Sequence, residues 1–123
     1  IEGGANMDVA ELPCEMYYTS GTSGRPKGVM LSHKIVCHHA IGCCVEHRHH
    51  KDDVWGHFAP LFHLVDAYGM FSITLVGGMH IFVRGEPNFS AAAVLDAIQK
   101  QRVTLSNMAS ASVTMLITES ERK

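Results

Sequence analysis

The stretch YYTSGTSGRPKGV, Tyr17 to Val29, gathers hydroxyls, glycines and a lysine into one short span. These are the groups a phosphate-binding loop needs. Glycines let the backbone approach an anion and take up positive φ. Successive N–H groups can then form an anion nest. Hydroxyls add neutral donors, and a lysine supplies charge. Thr19, Ser20, Gly21, Thr22, Ser23, Gly24 and Lys27 provide all of these. A solvated turn of small residues would have the same composition, so the loop alone leaves both readings open. A Walker A loop is excluded, because that motif carries Gly-Lys-Ser/Thr at the opening of a helix. Here Lys27 lies between Pro26 and Gly28, and the next candidate helix begins only near Ser32.

A second chemical cluster follows in CHHAIGCCVEHRHH, which offers Cys37, His38, Cys44, His47, His49 and His50. A helix can bring i and i+4 ligands together, and two such pairs can hold zinc. The spacings match no standard zinc finger. Cys37 and Cys44 also fall on an apolar stripe, where thiols behave as small hydrophobes. Structural zinc is therefore the minor reading, and no metal ligand is assigned.

The elements that must position these groups can be read from periodicity and punctuation. Residues 1–13 read as a linker, and 14–123 as part of one domain. Cys14 to Tyr18 suits a short strand, its aromatics favouring extension. Val29 to Leu31 is a second extended piece, and Ser32 sits where an N-cap belongs. From His33 to about His47 the pattern is helical, with Cys37, Ala40, Ile41 and Cys44 expected on one buried stripe. A polar turn at 49–53 precedes a strand from Val54 to Ala59, which Pro60 stops. Leu64 to Val76 is a buried helix closed by Gly77-Gly78. Met79 to Val83 is a strand and Arg84 to Pro87 a turn. Asn88 or Ser90 caps a helix whose inner face holds Ala91, Val94, Leu95 and Ile98. Val103 to Leu105 is a short strand. A last helix starts near Ser110, with Val113, Leu116 and Ile117 inward. Such alternation predicts an α/β fold with a mainly parallel sheet.

Composition bounds the rest. The chain has 123 residues, 46% hydrophobic and 18% charged, which describes a globular chain rather than a disordered one. A net charge of −2 gives no electrostatic reason to expect nucleic acid as a partner. Four cysteines without a C-x-x-C pair or a dense framework suggest reduced thiols and an intracellular, cytoplasmic setting. The uncharged run from Ala67 to Val83 contains Gly69, Gly77, Gly78 and His80 and is too short and too broken for a membrane span. The chain opens on Ile1 and ends in a charged run, so a segment of something longer is expected.

YYTSGTSGRPKGVMLSH closely resembles the signature of the adenylate-forming superfamily, which includes acyl-CoA synthetases, firefly-type luciferases and peptide-synthetase adenylation domains. The family's usual form is Tyr-Thr-Ser-Gly-Thr/Ser-Thr-Gly-x-Pro-Lys-Gly-Val. Only Ser23, where threonine is commoner, departs from it, and the hydroxyl survives. APLFHLVDAYGMF resembles the family's Pro-x-Phe-His segment beside the acyl pocket. GGMHIFV resembles the Gly-Gly-then-strand element, and AVLDAIQKQRVT the helix and strand that follow. The likeness runs from Tyr17 to Ile117. Ala109-Ser110 stands where the family usually has Val-Pro, so the resemblance does not fix the local backbone and pocket wall there.

The resemblance implies part of the large N-terminal domain of an enzyme that joins a carboxylic acid to ATP and passes the acyl-adenylate to a thiol, commonly coenzyme A. It implies that Thr19, Ser20, Thr22, Ser23 and Lys27 meet the β- and γ-phosphates, with Gly21, Gly24 and Gly28 as conformational enablers and Mg²⁺ bound with the nucleotide. The loop is expected to close over ATP. Lys27 and His63, the latter matching the histidine of Pro-x-Phe-His, are the candidate catalytic residues. Asp66 is expected as a cap or polar wall, and Trp55 and Phe58 as core. Acyl or aryl-CoA ligases fit better than amino-acid adenylation domains. The chain holds no Tyr-Gly-x-Thr-Glu, no Thr-Gly-Asp for the ribose and no C-terminal lysine domain. The rest of the polypeptide is therefore expected to complete the site, and this stretch alone to be inactive. A catalytically incomplete nucleotide-binding fragment is the alternative reading.

Overall fold

Local chemistry sets most element limits in the computed structural model, which describes residues 8–21, 24–83 and 89–122. A single 3-10 turn, Val9–Glu11, is opened by the Asp8 carboxylate, which accepts from the Ala10 N–H. β1 (Pro13–Thr19) and β2 (Lys27–Ser32) then pair as an antiparallel hairpin. Ser32 ends β2 and caps α1 (His33–His47), its Oγ accepting from the Ile35 N–H. Arg48 ends α1 in the left-handed region at φ 56°. β3 (Val54–His57), α2 (Leu64–Val76) and β4 (Met79–Phe82) follow. Gly77 closes α2 at φ 75°. Ser90 caps α3 (Ala91–Gln101) through the Ala93 N–H, and α4 (Ser110–Ser120) comes last. The turn expected at Arg84 to Pro87 and the candidate cap Asn88 lie outside the described residues.

The α/β class holds, but its sheets are small. β3 and β4 pair in parallel, joined by α2 as the crossover. Leu105 adds one parallel bridge to Trp55 on the far edge of β3, where the Gly56 N–H donates to its carbonyl at 2.9 Å. A single bridge thus replaces the strand expected over 103–105. The glycine loop joins antiparallel partners and not a parallel crossover, because the short connection from Thr19 to Lys27 permits only a hairpin.

The core centres on Trp55 and Ile73, with two polar residues, Asp66 and Ser72, equally sequestered. Phe58, expected beside Trp55 in the core, is half-buried. α1 packs on α2, and the contact corrects the expected stripe. The buried line is Val36 and Ala40, extended by half-buried Cys44, whose thiol donates to the Ser72 carbonyl at 3.2 Å. Cys37 and Ile41 are exposed. They border an open apolar groove of about 550 Å³ with Met70, Phe71 and Leu75. The i, i+4, i+8 row 36–40–44 follows the helix ridge, and Cys37 and Ile41 lie one residue, roughly 100°, round from it. α4 likewise buries only Leu116 against α3, leaving Val113 and Ile117 exposed. Among the described residues, no helix is long and apolar enough to cross a membrane.

Candidate functional site

The hairpin register places Thr19 directly opposite Lys27, Tyr18 opposite Gly28 and Tyr17 opposite Val29. Lys27 and Thr19 therefore frame the mouth of the loop, both exposed, with exposed Ser20 beside them. Gly21 and Gly24 adopt positive φ, 58° and 75°. The Gly24 N–H donates to the Gly21 carbonyl at 3.4 Å. At Gly21 a Cβ would overlap the carbonyl oxygen of Arg25, so the loop requires glycine there for space as well as for φ. Thr22 and Ser23 lie outside the described residues. Behind the loop, Tyr17 donates its phenol to Glu15 at 3.0 Å. Burial first, then this bond, pushes the Tyr17 pKa up to about 12, so the ring stays a neutral donor.

His63 is the N-cap residue of α2, but its side chain caps no N–H. Its backbone does the work instead. The carbonyl accepts from Asp66 and Ala67, and its own N–H donates to Pro60 at 3.0 Å. The imidazole is exposed and lies tilted on the equally exposed ring of Phe62, centroids 4.7 Å apart. A cavity of about 300 Å³ separates the hairpin from this segment, lined by Glu15 and Leu31 on one side and Leu64, Tyr68 and Phe71 on the other. The hairpin and the start of α2 thus flank one hollow.

A polar chain, buried at its Asp66–His57 end, escaped sequence reasoning. Asp66 does not cap α2; its carboxylate turns fully inward, accepting from Trp55 Nε1 at 2.9 Å and from His57 Nδ1 at 3.1 Å. His57 Nε2 meets His80 Nδ1 at 2.9 Å, and His80 Nε2 meets the Thr74 hydroxyl at 3.0 Å. The His57 ring stacks on Phe82, centroids 4.4 Å apart, and lies nearly parallel to His80, its edge-on hydrogen-bond partner, at 5.2 Å. Burial, followed by the neighbouring His57, lowers the His80 pKa, with Asp66 opposing both. The available signal was a polar residue on the face α2 shares with Gly69 and Ile73, together with Trp55 and His57 at alternate positions of β3.

The Cys/His cluster does not converge. Cys37 is exposed, Cys44 points to Ser72, and His49 packs between His47 and Trp55. Among the described residues, no three His, Cys, Asp or Glu side chains gather as a metal site. All four cysteines are free, and burial raises the pKa of the Cys14, Cys43 and Cys44 thiols.

Comparison with known proteins identifies the family. A family model described as AMP-binding enzyme matches residues 5–123. Indoleacetate–CoA ligase of Aromatoleum aromaticum is 33% identical over 87% of this chain and 21% of its own length. 4-Coumarate–CoA ligase 1 of Arabidopsis thaliana is 36% identical over 93% of the chain and 20% of its own. The o-succinylbenzoate–CoA synthetase of Bacillus subtilis, solved with ATP and magnesium, superimposes with a TM-score of 0.79 at 25% identity, covering 89% of this chain and 22% of that one. The chain thus spans about a fifth of the length of these relatives.

Proposed function

The chain belongs to the AMP-binding enzymes, as a member of their AMP-forming acyl-CoA ligases, and from that premise we propose that the intact protein activates a carboxylic acid with ATP and transfers it to coenzyme A. The observation that carries this reading is the hairpin: Lys27 opposite Thr19, with Gly21 and Gly24 at positive φ between them. Such a loop offers N–H groups, hydroxyls and one ammonium to an anion at no side-chain cost. The aromatic acids in the relatives' names make an aryl carboxylic acid the first substrate class to test.

In the first step a carboxylate oxygen attacks the α-phosphorus and the bond to the bridging oxygen breaks, releasing pyrophosphate. Charge accumulates on that leaving group. Lys27, the hydroxyls of Thr19, Ser20, Thr22 and Ser23, and the N–H groups freed by Gly21, Gly24 and Gly28 hold it. The loop contains no carboxylate, so its hydroxyls are the only side-chain groups with which it could hold a phosphate-bound Mg²⁺. When bound, the ion neutralises phosphate charge. His63 and Phe62 stand exposed at the start of α2, where they face the acid. In the second step the thiol of coenzyme A attacks the acyl carbon and AMP leaves. Nucleic acid has no part in this chemistry, and the free thiols suit an intracellular, cytoplasmic location. Residues beyond this chain complete the adenine, ribose and thiol sites.

Acid-dependent exchange of pyrophosphate into ATP by the intact protein tests the reading. Lys27→Ala is expected to lower the exchange rate by on the order of 100-fold, about 3 kcal/mol of barrier. An unchanged rate would remove Lys27 from its role. ATP binding without any acid-dependent exchange would instead identify a nucleotide-binding relative without catalysis.

A further inference from the structure

We propose that His57 and Asp66 are positioning residues: their hydrogen bond clasps both ends of the segment 58–65 and sets where Phe62 and His63 stand for the acid substrate. The inference rests on the function proposed above. His57 is the last residue of β3, and Asp66 lies in the first turn of α2. The 3.1 Å bond between them therefore closes the connecting segment at its base, with the two side chains 1% and 0% exposed. Phe58, Ala59 and Val65 are half-buried, and a backbone bond from His63 to Pro60 turns the middle of the segment. Leu61, Phe62, His63 and Leu64 are all exposed, and Phe62 is 72% so.

The clasp is itself braced. A carboxylate can only accept, so Nδ1 of His57 donates to Asp66. In a neutral ring this leaves Nε2 to accept from His80 Nδ1, and His80 Nε2 meets the Thr74 hydroxyl, whose single proton is shared with the Met70 carbonyl. The chain begins at Asp66 and ends at Thr74, both on α2, with two strand histidines between. Sliding or turning α2 would break it at one end or the other. Apolar contacts in the same place would tolerate such slippage. Burying a carboxylate is costly unless it is fully bonded, and its return is directional placement. Gly69, one turn on, lets α2 lie directly on Trp55, the other donor to Asp66.

The intact protein decides the matter through two readouts on one pair of variants. His57→Leu removes the donor, whereas His57→Asn keeps an N–H near the place of Nδ1. His57→Leu is expected to raise the KM for the acid roughly tenfold while leaving the KM for ATP within about twofold. It is also expected to speed amide hydrogen exchange across 58–65 and not across α1. His57→Asn should recover most of both. Equal behaviour of the two variants, or parallel changes in the acid and ATP constants, would overturn the proposal. If His57→Leu fails to fold, Asp66→Leu, of similar size but without an acceptor for His57 Nδ1, must give the same acid-selective change. A wild-type protein without acid-dependent exchange would defeat the proposed function. The amide exchange would still judge the clasp, since equal protection of 58–65 in both His57 variants overturns it.

Discussion

The indole of Trp55 occupies the place where a side chain on residue 69 would stand. A Cβ on Gly69 would overlap Cε2 of the ring. The ring cannot easily swing away, because Trp55 is 2% exposed and its Nε1 is held by Asp66. Gly69→Ala should therefore destabilise the protein. Overpacking of about 2–3 kcal/mol exceeds the gain of about 1 kcal/mol in helix propensity. Denaturant unfolding of the intact protein checks this, and an unchanged midpoint would mean that the ring has room to move.

The loop glycines should differ in their tolerance. Gly21→Ala meets both the positive φ and the Arg25 carbonyl, whereas a Cβ at Gly24 meets nothing within 4 Å among the described residues. The φ penalty alone is about 1–2 kcal/mol, and the clash adds to it at Gly21 only. Gly21→Ala is expected to raise the KM for ATP more than tenfold, and Gly24→Ala by less. The reverse order would mean that the hairpin rearranges before nucleotide binds.

Stability should fall in mild acid. Burial first, then His47, lowers the pKa of His49 despite Asp53; His80 is lowered in the same sense. Nδ1 of His49 is buried without a hydrogen-bond partner among the described residues. The folded-state pKa values lie below the usual 6.5, so the unfolded chain binds more protons in acid. Melting temperature should be level above that value and drop as pH falls below it. His49→Phe should flatten part of the slope. A slope unaffected by that change would assign the acid sensitivity elsewhere.

Arg48 ends α1 at φ 56°, a conformation that costs a side-chain-bearing residue about 1 kcal/mol. The carbonyl of Cys44 accepts from its backbone N–H, which glycine retains. Arg48→Gly should consequently stabilise the protein by up to about 1 kcal/mol in denaturant unfolding. A loss would show that the arginine side chain holds more than the strain costs.

Helix limits were legible where caps write them. Ser32 and the Gly77-Gly78 pair bracket α1 and α2 at the residues expected, because a cap acts within one turn of itself. The glycine loop was legible for the same reason: hydroxyls, glycines and lysine act within a few residues of each other. The buried line of α1 was not. Several registers of Val36, Cys37, Ala40, Ile41 and Cys44 could have made an apolar face, and the approach of α2 selected 36, 40 and 44. The antiparallel pairing of β1 with β2 also depended on which strands met.

Sequence alone therefore determined the local pieces of this protein: its helices, its caps and the loop whose spelling resembles an adenylate-forming signature. Tertiary structure alone decided that Asp66, His57, His80 and Thr74 form one polar chain, buried at its Asp66–His57 end. Its histidines lie 23 residues apart and belong to different strands. No local propensity encodes such a meeting. It exists because parallel pairing sets His57 beside Phe82 and His80 beside Trp55, and because α2 crosses over both strands with its carboxylate facing down.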